Sequence, residues 1–214
     1  MDSETNKRLK MDEKAGAKES VLKSVDEIKT SSVIEFLMLV GQLKSTTRTG
    51  WVMRKIEPCE SVSDHMYRMA MVCMLLAPPG ISRDHMMKLA LVHDLAEAVV
   101  GDITPNCGVS KEEKYRREEE TMRNIRDETL AGSALGHELY ELWTEYESGE
   151  TDAARMVKDV DKFELVLQAL EYERKHSVDL SEFFDSTEGK YNTPRVSEWS
   201  ETVSKMRPKF KDQK

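Results

Sequence analysis

Several hallmarks of common protein classes are scarce in this sequence. Its 214 residues include three cysteines, Cys59, Cys73 and Cys107, in no close-spaced metal pattern. An odd count without a framework excludes a disulfide-stapled scaffold and predicts a reducing, intracellular and most simply cytoplasmic setting. Apolar runs are short. None approaches the roughly 18 residues that a membrane span needs, so no membrane partner is expected. The first ten residues, MDSETNKRLK, are polar and charged, unlike a secretory signal peptide. Positive charge is outnumbered: 32 Lys and Arg against 40 Asp and Glu give a net charge of −8. Duplex binding rests largely on neutralising phosphates, so a nucleic-acid polymer is not the expected partner, although a local basic pocket is compatible with this balance. Sustained β-branched alternation is missing too, as are internal repeats and low-complexity blocks.

What remains is helical periodicity in a chain long enough to bury a core without disulfides. Residues 1–28 carry few apolar anchors and read as a polar, mobile tail or a weak first helix. Their KRLK fragment (7–10) reads as solvated tail, with nuclear access the alternative. An ordered domain is expected over 29–207, followed by a basic tail at 208–214. From Ser32 onward Val33, Phe36, Leu37, Val40 and Leu43 recur at helical spacing. Residues 44–61 then read as a polar loop with Gly50 and Pro58. Ser61, with Asp64 three residues on, opens a helix. It turns Val62, Met66, Met69, Ala70, Cys73 and Met74 inward and stops at Pro78, Pro79 and Gly80. Ser82 opens the next, expected to run unbroken to Val100 with Gly101 in the left-handed position behind it. Ser110 and Glu113 form a capping box that starts a very charged helix, whose charges read as a solvated, ion-paired face. Further helices are expected over 134–147, from Thr151 to about Lys175 with Met156, Val160, Phe163, Leu167 and Leu170 inward, and over 194–206. The fold class is therefore all-α, a compact multi-helix domain, with the 13 methionines serving mainly as core filler.

The residues that carry chemistry sit within these stripes. His93 and Asp94 follow an apolar run in KLALVHDLAEAVVGD, and Glu97 falls one turn later on the same side. An unsatisfied polar group on a buried face costs roughly 2–7 kcal/mol, so these three need partners. His65, three after Val62 and four before Met69, faces the core side of its own helix. Asp161 lies in VKDVDKFELVL beside Val160. Two imidazoles and two carboxylates suit one borderline or hard divalent ion (Mn, Fe, Co or Zn, with Mg admissible) rather than thiolate ligation. On these residues alone, a metal site and a set of hydrogen-bonded structural groups are equal readings. His85 lies too far along its helix from His93 to share an ion, while His137 and His176 fall in charged stretches. Trp51 by itself reads as a core or lid aromatic, and Asp102 as a cap on the turn after Gly101.

The order His, His-Asp, Asp on successive helices resembles the HD phosphohydrolase superfamily. RTGWVMRKIEPCESVSDHMYRMA, ALVHDLAEAVVGDITP and KDVDKFELVLQALEYE resemble more closely the HD-domain 5'-deoxynucleotidases, in particular the eukaryotic HD domain-containing protein 2 group. The likeness spans about Phe36 to Tyr172. It implies an α-helical fold with His65, His93, Asp94 and Asp161 ligating one divalent ion. It also implies that Glu97 handles the proton of the attacking water, Asp102 holds the deoxyribose, and Trp51 with a nearby arginine lines the sugar and phosphate pocket. Bacterial members place an Arg directly before the Trp. Here Gly50 stands there, and Arg48 and Arg54 are the candidate substitutes. The implied reaction is hydrolysis of a deoxyribonucleoside 5'-monophosphate by a homodimer. The rivals are another HD reaction, on a cyclic nucleotide or a nucleoside triphosphate and drawing on Lys114, Arg116, Arg117 or Lys158, and a non-catalytic metal-stabilised scaffold.

Overall fold

The computed structural model describes residues 22–76 and 78–207. The KRLK fragment, the rest of the first 21 residues and the basic segment 208–214 lie outside the described residues. In chain order the α-helices among the described residues are α1 (Thr30–Gln42), α2 (Thr49–Met53), α3 (Val62–Leu75), α4 (Arg83–Val92), α5 (Glu97–Val100), α6 (Lys111–Asn124), α7 (Ala134–Ser148), α8 (Asp152–His176), α9 (Ser181–Thr187) and α10 (Pro194–Lys205). A π turn at Ile125–Thr129 joins α6 to α7. Among the described residues there is no strand, only isolated bridges at Lys23–Ser133 and Thr47–Ser61. The chain is all-α.

Helix starts follow local chemistry. Ser61, Ser82, Ser110, Ser133 and Thr151 each accept the N3 amide with their hydroxyl, satisfying one of the donors a helix start leaves free. At Ser61 the bond is reciprocal, because Asp64 accepts the Ser61 amide at 2.9 Å. At Ser110 the carboxylate of Glu113 turns instead to Arg116 and Arg117. The 25 residues of α8 span about 37 Å and form the axis of the domain. Helices α3, α4, α7, α9 and α10 pack on it. Val157, Val160, Val166, Ala169 and Leu170 on α8 and Met69, Met86 and Leu89 on α3 and α4 are all buried. Truncating one of these larger aliphatic groups to Ala leaves a cavity and costs about 2–5 kcal/mol.

Several sequence expectations shift. Leu37 and Met74 are 55% and 47% exposed rather than inward, because each lies at the edge of its helix stripe. Met156 and Leu167 on α8 are only half-buried. Residues 44–61 are not all loop. They contain α2, whose Trp51 is buried against Tyr172 and Phe183. The helix from Ser82 does not run unbroken to Val100. α4 ends at Val92, and the amides of Leu95, Glu97, Ala98 and Val99 bond three residues back until Val100 regains the four-residue step. The reason is local: the His93 ring donates Nδ1–H to the Ala90 carbonyl at 2.9 Å, the acceptor Asp94's amide would take in a continuing helix. Gly101 has φ +73° but an extended ψ of 170° rather than a left-handed one, a conformation open mainly to glycine. Within the expected tail, residues 22–28 belong to the folded body, where Ile28 is buried and the Lys23 carbonyl accepts the Ala134 amide at 2.9 Å.

Candidate metal centre

Three elements bring the predicted ligands together. The cap at Ser61 sets the start of α3 so that His65, one turn in, points into the core and is fully buried. The break after α4 turns His93 and Asp94 toward it, and α8 supplies Asp161 from behind. One donor atom each from His65, His93 and Asp94 lie within 4.8 Å of one another. Asp94 Oδ2 is 3.1 Å from His93 Nε2 and 3.9 Å from His65 Nε2. Asp161 Oδ1 is 3.2 Å from His65 Nε2, while its Oδ2 accepts the Tyr146 hydroxyl at 3.0 Å.

Tautomers follow from the partners. A carbonyl only accepts, so His93 carries its proton on Nδ1, facing Ala90. His65 donates Nδ1–H to Glu164 Oε2 at 2.6 Å. Nε2 is therefore the nitrogen that each ring turns to the cluster, and among the described residues neither Nε2 has a hydrogen-bond partner although both are buried. An unsatisfied buried group costs about 1–3 kcal/mol. Two of them converging beside two carboxylates fit a divalent cation with nitrogen and oxygen ligands.

The electrostatics of the cluster are those of a cation site. Burial pushes Asp94 up, but the neighbouring His93, Arg48 and His65 outweigh it and hold the carboxyl below the usual range. Asp161 is lowered likewise against burial, by His65, then His93 and Arg48. Burial and the Arg48 charge oppose protonation of His65, yet Glu164 and Asp161 raise it to about 9. Glu97 behaves oppositely: burial, then Asp94 and Asp102, push it well above its ordinary value. Its Oε2 is buried and unpartnered, and its Oε1 lies 3.9 Å from Lys114 Nζ on α6, which is 3.4 Å from Glu118. Lys114, expected on a solvated face, thus borders the site.

The remaining predicted residues divide. Arg48 Nη1 lies 3.4 Å from Asp94 Oδ2, at the cluster. Arg54 instead donates to Glu182 at 2.6 Å and lies over the Phe183 ring. Trp51 is 1% exposed and gives its Nε1–H to Glu60 at 2.8 Å, so it is a core group that anchors α2 and thereby Arg48. Asp102 Oδ2 accepts the Thr49 amide at 2.6 Å and its carbonyl accepts the Thr49 hydroxyl at 2.7 Å, tying the loop after α5 to the start of α2. Sequence reasoning did not single out Glu164, Arg68 and Tyr146. The only signal was spacing: Arg68 follows His65, and Glu164 follows Asp161, by three, which is one helix face.

A family model for the HD domain matches residues 40–202. The chain belongs to the HD domain family. It is 50% identical over 167 residues to the human 5'-deoxynucleotidase HDDC2, covering 77% of this chain and 81% of that protein. It is 46% identical over 187 residues to the 5'-deoxynucleotidase hdd1 of Schizosaccharomyces pombe, covering 85% and 93%. Among solved structures, a conserved hypothetical protein from Pyrococcus furiosus superimposes with a TM-score of 0.69 at 31% identity, covering 80% of this chain and 99% of that one. The HD-domain match thus encloses all four clustered residues, since they lie between positions 65 and 161.

Proposed function

We propose that this chain is a metal-dependent 5'-deoxynucleotidase that hydrolyses a deoxyribonucleoside 5'-monophosphate to deoxynucleoside and phosphate. The observation that carries the reading is the pair of buried, unpartnered Nε2 atoms of His65 and His93 in a chain about half identical to proteins of that name. His65, His93, Asp94 and Asp161 would hold one divalent ion, with Mn, Fe, Co, Zn and Mg all compatible with the donors. When bound, such an ion neutralises phosphate charge and acidifies a water.

The chain's own groups do the rest. Glu97 Oε2, buried and free of other bonds, accepts the proton of the water that attacks phosphorus. The water oxygen bonds to phosphorus as the bond to the 5' oxygen breaks, and the leaving oxygen takes a proton from solvent. Arg48 offers its planar fork to the phosphoryl oxygens. Asp102, with Oδ2 held by Thr49, offers its other oxygen to a sugar hydroxyl. Three free cysteines fit a reducing cytoplasmic setting, and a homodimer completes the reading, which sedimentation of the purified protein tests.

The test of function is phosphate release from deoxy and ribo 5'-monophosphates, 3'-monophosphates, triphosphates and a cyclic diester, using protein stripped of metal and reloaded with each ion. Release from deoxy 5'-monophosphates alone, abolished in His93→Ala and Glu97→Gln, is the expected outcome. Cleavage of the diester but not the monoester would replace this reading with a phosphodiesterase. No release with any ion, despite bound metal, would leave a scaffold.

A further inference from the structure

The two ligand imidazoles are held in different ways. His93 leans on a neutral backbone carbonyl. His65 leans on a carboxylate, Glu164, and both of those side chains are fully buried. Glu164 Oε1 in turn accepts Arg68 Nε at 2.7 Å. Arg68 extends outward, donating Nη1 to Glu171 at 2.8 Å and Nη2 to Gln168. A chain of charge-assisted bonds therefore runs from the metal cluster across α3 and α8 to the surface.

An ionised carboxylate at such a depth is costly unless paired and bonded. One turn away on α8 stand Val160, apolar and fully buried, and Gln168, which Arg68 also bonds, so the charge of Glu164 is answered from α3, by His65 and Arg68. Glu164 therefore joins α8 to α3, and it does so through the ligand imidazole itself. What it does is fix the proton of His65 on Nδ1, aim Nε2 at the cluster and push electron density toward that nitrogen, the known effect of a carboxylate behind a ligand imidazole. Arg68 clamps the second oxygen and prevents the carboxylate from turning away. We propose that Glu164, locked by Arg68, is a positioning residue that sets the orientation and donor strength of His65 toward the divalent ion. This rests on the metal-dependent reading above.

The experiment measures the binding of Mn and Co to metal-free protein by calorimetry. The Co visible absorption and the thermal midpoint of the metal-free form are recorded beside it. Glu164→Gln keeps the shape and an acceptor for Nδ1–H but removes the charge. It is expected to weaken metal binding about 10–100-fold and shift the Co spectrum, with little change in the metal-free midpoint. Arg68→Met weakens it less, and Arg68→Lys restores part of the loss. At saturating metal the KM for a deoxyribonucleoside monophosphate stays at its wild-type value in each variant. Wild-type affinity in Glu164→Gln and Arg68→Met, with binding lost in His93→Ala, overturns the proposal but keeps the metal site. Wild-type binding in His93→Ala as well overturns both. A metal-free midpoint that falls in step with the affinity makes Glu164 a packing residue and also overturns it.

Discussion

Asp159 and Asp161 stand two residues apart on α8 and do opposite things. Asp159 is fully buried, and every bond it needs is made inside the fold: Oδ2 accepts the amides of Asn192 and Thr193, each at 2.7 Å, and Oδ1 accepts Lys162 Nζ at 2.7 Å. It ties the chain entering α10 to the central helix. Asp161 points to the other side, where its nearest nitrogen, His65 Nε2, finds no hydrogen bond. Two carboxylates in the same short motif thus separate into a satisfied group and part of an unsatisfied cluster. Charge does not distinguish structural from functional acids here, and the more deeply buried of the two is the structural one. Leftover bonding capacity does distinguish them.

The contrast is broken most severely by exchanging which acid neighbourhood is damaged. His93→Ala removes a donor from the unsatisfied cluster and is expected to lower turnover by about 10³-fold or more, with the metal-free thermal midpoint unchanged or raised because an unpartnered buried atom is gone. Asp159→Ala should do the reverse, destabilising the protein by about 2–5 kcal/mol through two stranded amides and an unpaired lysine, while the folded fraction keeps its metal affinity. Urea unfolding beside phosphate release checks both. Equal stability loss in the two variants would erase the distinction.

A second expectation concerns pH and metal together. His65 is raised to about 9 in the metal-free fold, against roughly 6.5 unfolded. Its contribution to stability is therefore present in full below the unfolded value and is lost as pH rises through about 9. Glu97, raised by burial and by Asp94 and Asp102, adds to the same fall. Asp94 and Asp161, both lowered, act at the acid end, where stability drops as pH falls below the usual carboxylate range. The chelated protein should lose thermal midpoint between pH 6.5 and 9. Metal at 100 times its Kd should restore about 2.7 kcal/mol. A flat midpoint over that range in chelated protein would show that His65 is not held by its carboxylates.

Local chemistry explains which of these features the sequence made legible. Caps such as Ser61, Ser82 and Thr151 act within four residues, and they appear where expected. The helical stripes locate the core, and with it the inward direction of His65 and Asp161. Stripe width is not local, so the spacing that turns Leu37 and Met74 inward does not reveal that both are exposed. The break after Val92 depends on a ring bonding backward to Ala90, which periodicity cannot register. Helix α2 depends on Trp51 finding Tyr172 and Phe183, more than 120 residues away. Charged residues on helices read as solvated, so the roles of Arg68 and Glu164, and the place of Lys114 beside Glu97, emerge only from the packing of α3, α6 and α8.

The smallest expected effect sharpens the same distinction among cations. Arg54 has its bonds made: a two-pronged pair with Glu182 and a face on Phe183. Its partner carboxylate is half exposed, so the pair contributes only about 0–1 kcal/mol, and Arg54→Ala should leave KM and turnover within about twofold. Among the described residues the Arg48 guanidinium has only a long 3.4 Å contact with Asp94, in a cluster whose four acids, Asp94, Asp161, Asp102 and Glu97, hold it firmly charged against its burial. Its donors are free to meet a phosphoryl group, and a charge-assisted bond of that kind is worth about 1.5–3 kcal/mol. Arg48→Ala should therefore raise KM for a deoxyribonucleoside monophosphate by about 10–100-fold, with Arg48→Lys intermediate because an ammonium lacks the planar fork. Steady-state kinetics on the two alanine variants decide it: a larger KM change at Arg54 would mean that a satisfied surface pair, not the leftover cation, meets the substrate.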